Sequence, residues 1–270
     1  MKKILLATTI LGMSAGVAAA EISWSASAGA GLAMDNGSDY VAYSFMKIGV
    51  KGSAETDSGL TFSATTDLTT GLKMNTGSDI DDGLEGESGD FGMPTISIGG
   101  SFGTISFSYD NIDFYDDYID DGDVKYEGTF GAFTAGVVTD VDDGDYSVKL
   151  GYSANNIALS ADVDNYDVYN VSAGYTFGAI TATLSTDETE TLFAKVGYSA
   201  NGISASLEVG DDDTWEAKAG YSANGLSVEA LADDSDYTRV TGSYDLGGGL
   251  SVVAGADSDE NAYVGAAMKF

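Results

Sequence analysis

Residues 146–163 read YSVKLGYSANNIALSADV. Tyr146, Val148, Leu150 and Tyr152 alternate with Ser147, Lys149 and Gly151; beyond a turn, Ile157, Leu159, Ala161 and Val163 alternate with Ser160 and Asp162. A period of two is a strand with one dry face and one wet face. The stretch is therefore a hairpin. The hairpin recurs: Tyr152, Tyr175, Tyr198, Tyr221 and Tyr244 are spaced 23 residues apart, inside GYSANN (151–156), GYTFGA (174–179), GYSANG (197–202 and 220–225) and SYDLGG (243–248). A fixed period marks a repeated supersecondary unit. The Asn-Gly and Gly-rich connections suit type I′ turns, which need positive φ. The opposite hairpin ends are acidic, as in Asp142-Asp143-Gly144-Asp145, Asp187-Glu188, Asp211-Asp212-Asp213 and Asp233-Asp234.

Counting outward from this stretch, tight connections fall near 53–58, 100–103, 129–132, 154–156, 177–179, 200–202, 223–225 and 246–249. Eight hairpins make 16 strands, and residues 22–34 and 261–270 add one at each end, giving 18. The dry face decides the class. A soluble β-protein points its apolar alternate inward, whereas a membrane barrel points it at lipid. Three features favour the barrel. The other face is Ser, Thr, Gly, Lys, Asp and Glu on strand after strand; tyrosines recur at the turn end of the dry face; and the chain ends on Phe270, in phase with Met268, Ala266 and Val264. The expected fold is all-β, a transmembrane antiparallel barrel of 16–18 strands with short periplasmic turns and acidic extracellular loops. Tyr152, Tyr175, Tyr198, Tyr221 and Tyr244 would form an interfacial aromatic girdle. A secreted sandwich or stacked solenoid is the rival, and it leaves the tyrosine belt and the terminal aromatic unexplained.

Composition narrows the chemistry. The 270 residues hold 43 acidic and 11 basic side chains, a net charge of −32, with no His and no Cys. Disulfides, thiol or imidazole catalysis and Cys/His zinc sites are excluded. The charge argues against nucleic acid, which needs clustered Lys and Arg. No nucleophile motif such as G-x-S-x-G occurs, so an enzyme is the poorest reading. Residues 1–20, MKKILLATTILGMSAGVAAA, pair a basic start and an apolar run with Ala18-Ala19-Ala20. This is a secretory signal with cleavage expected after Ala20, leaving 21–270 as the barrel.

The signal segment, SYDLGGGLSVVAGADSD at 243–259, the terminal AAMKF, TDSGLTFSA at 56–64 and ISIGGSFGTISF at 96–107 resemble the general-diffusion porins of the alphaproteobacterial outer membrane. The likeness covers both ends of the exported chain, and the middle matches by pattern. It implies a homotrimer of barrels, each with its own pore narrowed by an inward-folded third loop. Members of that family commonly have 16 strands and longer loops, and this chain departs on both counts.

The third loop on the acidic rim contains DNIDFYDDYIDDG at 110–122. The resemblance makes 109–123 the constriction loop, with Asp110, Asp113, Asp116, Asp117, Asp120 and Asp121 as its acidic lining; the rival reading is a solvated surface loop. Interleaved Phe114, Tyr115, Tyr118 and Ile119 favour packing against a wall. Lys47, Lys51, Lys125, Lys149, Lys195, Lys218 and Arg239 all share the wet phase. They read as a basic pore wall opposed to the acidic loop, a transverse field, or as partners for Asp162, Glu208, Glu216 and Glu229. The functional expectation is passive diffusion of ions and small hydrophilic solutes with mild cation preference. Its rival is a secreted or surface-exposed calcium-binding adhesin without channel activity. No cofactor is required; Ca2+ is a candidate for the aspartate runs, with Asp116, Asp117 and Asp120 as its candidate ligands. Expected partners are two further copies of the chain, outer-membrane lipid and lipopolysaccharide, and the barrel-assembly machinery, with Phe270 as the assembly signal. Small residues on the first and last strands (Ala26, Ala28, Ala30, Ala262 and Ala266) suggest a subunit contact near the seam. The 73–92 stretch, also acidic, reads as a latch loop.

Overall fold

The computed structural model describes residues 17–34, 37, 39–74, 84–113, 115 and 122–270. Nineteen strand segments run along them. They are β1 (Val17–Met34), β2 (Val41–Thr56), β3 (Thr61–Met74), β4 (Leu84–Phe91), β5 (Thr95–Gly100), β6 (Gly103–Ile112) and β7 (Gly122–Phe130). The chain continues with β8 (Phe133–Thr139), β9 (Tyr146–Ala154), β10 (Ile157–Asp164), β11 (Tyr169–Phe177), β12 (Ile180–Asp187) and β13 (Leu192–Ala200). It ends with β14 (Ile203–Gly210), β15 (Trp215–Ala223), β16 (Leu226–Asp233), β17 (Thr238–Gly247), β18 (Leu250–Asp257) and β19 (Ala262–Lys269). From β5 onward each pairs antiparallel with the next, and β19 pairs back to β1 from Ser27↔Lys269 to Met34↔Ala262. β4 and β5 both pair with β3, at its upper and lower halves, and so share one position. The result is a closed barrel of 18 strands, which leaves no sheet edge at the seam.

The divided position falls on the chain's single proline, Pro94. Proline cannot donate to a ladder and restricts the residue before it. Side chains bridge the gap: Thr66 Oγ1 donates to the Gly92 carbonyl at 2.8 Å and Ser108 Oγ to the Pro94 carbonyl at 3.1 Å. The 73–92 stretch is therefore not loop throughout. Leu84–Phe91 are strand, and 75–83 lie outside the described residues. β1 starts at Val17, four residues ahead of Glu21, and its ladder to β2 continues through Glu21↔Ser53 to Ala33↔Val41.

Repetition in the sequence becomes repetition in register. Ile157↔Tyr175, Ile180↔Tyr198, Ile203↔Tyr221 and Leu226↔Tyr244 are successive inter-hairpin pairs, each advanced by one repeat. The turns have the expected geometry: Asn201 and Gly202 take φ 53 and 77, and Asn224 and Gly225 take φ 52 and 82. Each turn also ties to the next hairpin, as Ser222 N–H donates to the Gly202 carbonyl at 2.6 Å and Asp245 N–H to Gly225 at 2.8 Å.

On the acidic rim the carboxylates hold the loops. Asp164 Oδ1 accepts from the Tyr166 and Val168 N–H groups, both at 2.8 Å, and Asp257 Oδ1 accepts from those of Asp259 and Asn261 at 3.0 and 2.9 Å. Asp211 and Asp234 reach back 19 residues to accept the first N–H groups of β13 and β15, from Leu192 at 3.0 Å and Trp215 at 3.2 Å. Short polar side chains that bond nearby backbone are the usual turn chemistry. The Thr214 hydroxyl, then the Thr214 N–H, hold the exposed Asp212 carboxyl below its ordinary range. Much of the rim charge is thus hydrogen-bonded turn structure.

Candidate pore and its lining

The two faces of the wall differ in kind. Large apolar side chains of the dry phase are exposed on the outside: Leu150, Leu159, Leu184, Val196, Leu207 and Val240 are all 46–56% accessible. A soluble protein rarely leaves apolar surface of this extent uncovered. Tyr175, Tyr198, Tyr221 and Tyr244 are exposed in the same phase, and Tyr152 is half-buried against Phe133, ring centroids 5.0 Å apart. Phe270 is also exposed, its N–H donating to the Ala26 carbonyl at 2.8 Å.

The wet phase lines the bore. Hydroxyls meet across strands, Ser160 with Ser172 at 2.6 Å and Ser97 with Ser106 at 2.8 Å. All seven wall cations read from the sequence lie in this phase, and five are paired with neighbouring carboxylates. Lys47 meets Asp67 at 2.8 Å, Lys125 meets Glu127 at 3.3 Å and Lys195 meets Glu208 at 3.2 Å. Lys218 meets Glu216 at 2.8 Å, and Arg239, itself buried, meets Glu229 at 3.5 Å. These are dispersed ion pairs of a wetted wall, each modest in energy because most partners remain open to solvent. Lys149 stands opposite Asp162 across the β9–β10 ladder, and Lys51 lines a polar recess with Ser23, Ser25, Thr65 and Asn111.

Tyr115, between β6 and β7, reaches this wall. Tyr115 N–H donates to Ser147 Oγ at 3.2 Å, and the ring lies 4.9 Å from Lys125 Nζ and 5.3 Å from Lys149 Nζ. Ile112 and Val138 form an apolar seat for it. The hydroxyl sits beside the Glu127 carboxylate without a hydrogen bond of good geometry. Burial, with the nearby Glu127 charge, pushes that phenol up to about 12, so Tyr115 is neutral at any working pH. Of the acidic residues read as the constriction, Asp110 is on β6 at φ 43 with its N–H on the Asp123 carboxylate at 3.2 Å, and Asp113 is exposed just beyond. Asp116, Asp117, Asp120 and Asp121 lie outside the described residues. Among the described residues no group of carboxylates is arranged to hold a metal ion.

Sequence reading missed an inward aromatic cluster. Tyr43 and Tyr263, with Ala33, are buried on the inner face, packed with Phe45. Their rings lie on glycine backbone, Phe45 over Gly29, Tyr43 over Gly31 and Gly265, and Tyr263 over Gly255. The signal was present: Tyr43 and Phe45 share the phase of Lys47 and Lys51, and glycines stand opposite them.

A closed antiparallel cylinder with an apolar exterior and a charged, hydroxyl-rich bore is a transmembrane β-barrel. The chain belongs to the Gram-negative porin family, whose profile matches residues 7–263. That is a family of channel proteins, not of enzymes. No curated protein sequence matches the chain. Among solved structures, an engineered variant of the Rh. blastica porin is 16% identical, with 93% of this chain and 100% of that chain covered and a TM-score of 0.57. Salmonella typhi OmpF in complex with daunomycin is 11% identical, covering 92% and 97%, TM-score 0.53. Vibrio cholerae OmpT in its trimer form is 13% identical, covering 93% and 100%, TM-score 0.53. At these identities the likeness is one of fold.

Proposed function

We infer that the protein is an outer-membrane porin, trimeric, through which ions and small hydrophilic solutes diffuse passively with mild cation preference. The observation that carries this reading is the wet face. Charged pairs and hydroxyls line the inside of a cylinder whose outside is apolar, an arrangement that only a hydrated bore in a lipid layer makes favourable. The secreted-adhesin alternative has no use for that exterior.

Selectivity follows from the pairing. Lys47, Lys125, Lys195, Lys218 and Arg239 each have a wall carboxylate within 4 Å, so the opposed basic arc is largely neutralised in place. The surplus charge at the mouth is then acidic, through Asp110 and Asp113 and, on this reading, Asp116, Asp117, Asp120 and Asp121 of the constriction loop. Acidic rings in a narrow aqueous passage favour cations. Cleavage after Ala20 would release a barrel starting at Glu21, which keeps the β2 ladder from Glu21↔Ser53 to Ala33↔Val41 and loses the pairs of Val17, Ala19 and Ala20. The trimer form of the Vibrio cholerae neighbour and the alanines near the seam support a homotrimer, with 73–92 as its latch. The tyrosine belt would sit at the membrane interface, and Phe270 would be read by the assembly machinery. Lipopolysaccharide would lie against the acidic rim, bridged by divalent cations.

Reversal potentials in a salt gradient test the selectivity. The wild-type channel should favour cations, and Asp116→Asn, Asp117→Asn and Asp120→Asn together should move the potential towards zero. Firm anion preference in the wild type would overturn the charge assignment; an unmoved potential would place those aspartates away from the ion path.

A further inference from the structure

We propose that the recess around Lys51 is a binding subsite for a small hydroxylated monocarboxylate, a sugar acid in chemical class, held inside the bore. The inference rests on the porin reading and deepens it by naming a solute that the wall binds.

Lys51 is the exception among the seven wall cations. Five sit in ion pairs, and Lys149 stands opposite Asp162. Lys51 instead has hydroxyl residues on both sides, Ser23 of β1 and Thr65 of β3. Among the described residues it has no ion pair. The next inward carboxylates, Glu21 opposite Ser53 and Glu55 opposite Thr61, lie beyond it towards the tight turn after β2. The wall elsewhere neutralises its cations locally. A single uncompensated ammonium on a narrow aqueous passage attracts a mobile anion.

The charge stands in a space of defined shape. A cavity of ≈ 480 Å3 opens there, within the roughly 300–1,000 Å3 usual for small-molecule sites. Two interruptions of the wall make it. Gly49, the inward position between Lys47 and Lys51, brings no side chain, and a Cβ there would meet Ser25 Oγ. Across the recess the strand position is divided: β3 leaves β5 at Thr65↔Thr95 and resumes with β4 at Leu68↔Phe91. The charged groups of the lining are Lys47, Lys51 and Asp67. Lys47 is bound to Asp67 at 2.8 Å, so the surplus positive charge resides on Lys51.

Neutral polar groups surround that charge. Ser23, Ser25, Thr65 and Thr95 bring hydroxyls, and Asn111 brings an amide. Ser23 Oγ donates to the Lys51 carbonyl at 3.4 Å and Thr65 Oγ1 to the Thr95 carbonyl at 3.5 Å, which leaves both oxygens to accept from a solute. The amide of Asn111 both donates and accepts. One cation among such groups matches one carboxylate carried on a body of hydroxyls. A phosphate dianion would keep a charge uncompensated in a bore whose rim is acidic, and a neutral sugar would leave the ammonium without its partner.

Single channels are recorded in planar bilayers at constant ionic strength, with D-glucuronate, D-glucose and D-glucose 6-phosphate as probes. Heat-dependent gel mobility verifies folding of every variant. In the wild type, glucuronate should lower the current saturably, and glucose should lower it only in proportion to its concentration. Lys51→Gln should raise the half-saturating glucuronate concentration about tenfold or more, the loss expected of a charge-assisted hydrogen bond. Lys51→Arg should retain saturable binding. Gly49→Val keeps every charge and fills the recess, so it should weaken glucuronate as Lys51→Gln does. An unsaturable response to glucuronate in the wild type, or an unchanged half-saturation in Lys51→Gln, would overturn the subsite while leaving the porin reading intact. Unchanged binding in folded Gly49→Val would overturn the recess as its place. Tighter binding of glucose 6-phosphate than of glucuronate would overturn the carboxylate assignment in favour of phosphate. A folded wild type that carries no current would defeat the porin reading itself.

Discussion

Excising residues 175–197, one complete repeat, should leave a closed barrel of 16 strands that still folds, inserts and conducts. Deletions inside a packed domain usually destroy it, because neighbouring side chains lose unique partners. Here the wall has no central core. Its described buried apolar side chains are Leu231 and two small clusters, around Tyr43 and Tyr263 and around Val138 and Ile112, and none of them lies in the excised unit. Register is the only other obstacle, since a slip of one residue exchanges the two faces. The cut avoids it. Ile157 pairs with Tyr175, and the shortened chain presents Tyr198 in its place, with Ala205 opposite as Ala182 was. The turn at Asn201-Gly202 takes over from that at Gly178-Ala179. Barrel diameter grows about linearly with strand number, so the bore should lose roughly a fifth to a third of its area and conductance should fall with it. Gel mobility and single-channel records check this. A product that never acquires heat-modifiable mobility would mean that the repeats are not interchangeable.

Reversing the polarity of one wall position should separate the two faces sharply. Val196 is central in β13, exposed on the outer face and flanked by Ala182 and Leu207. Val196→Arg places a cation against hydrocarbon, which costs about 2–4 kcal/mol near the bilayer midplane. That is a large share of the stability of an ordinary domain, so refolding into lipid vesicles should be severely impaired. Thr181, one strand away, is in the inward phase, opposite Thr176 and Gly197. Thr181→Arg should refold normally and change only conductance and selectivity. Urea titration of the vesicle-bound protein measures both. If Thr181→Arg is the damaging change and Val196→Arg is silent, the faces are reversed and the protein is not a membrane barrel.

The wall was largely legible in the sequence because its physics is periodic. Alternation assigned the faces of β9 and β10, Asn and Gly marked the turns where φ is positive, and the 23-residue spacing carried the register from hairpin to hairpin. Phase alone put Lys47, Lys51, Lys125, Lys149, Lys195, Lys218 and Arg239 on the wet face. What escaped is aperiodic. Pro94 divides one strand position into two segments, and its neighbours Gly92 and Met93 gave the count no signal. Tyr43, Phe45 and Tyr263 point inward against the rule that aromatics face lipid; they do so because glycines at 29, 31, 255 and 265 leave a surface on which rings can lie. Gly136 reads as one more strand glycine until Tyr115, 21 residues earlier, is found above it. The acidic hairpin ends read as charged loops, without the backbone N–H groups from which Asp164, Asp233 and Asp257 accept hydrogen bonds there. Side chain-to-backbone closure of this kind depends on turn conformation, which composition does not carry.

One measurement bears most directly on whether the polar face encloses water. Detergent-purified protein, folded by its gel mobility, is added at limiting dilution to a planar lipid bilayer under an applied voltage. A hydrated bore through a sealed apolar cylinder predicts discrete upward current steps, each scaling with salt concentration and near-ohmic at low voltage. A bilayer that takes up the folded protein and stays electrically silent would contradict it.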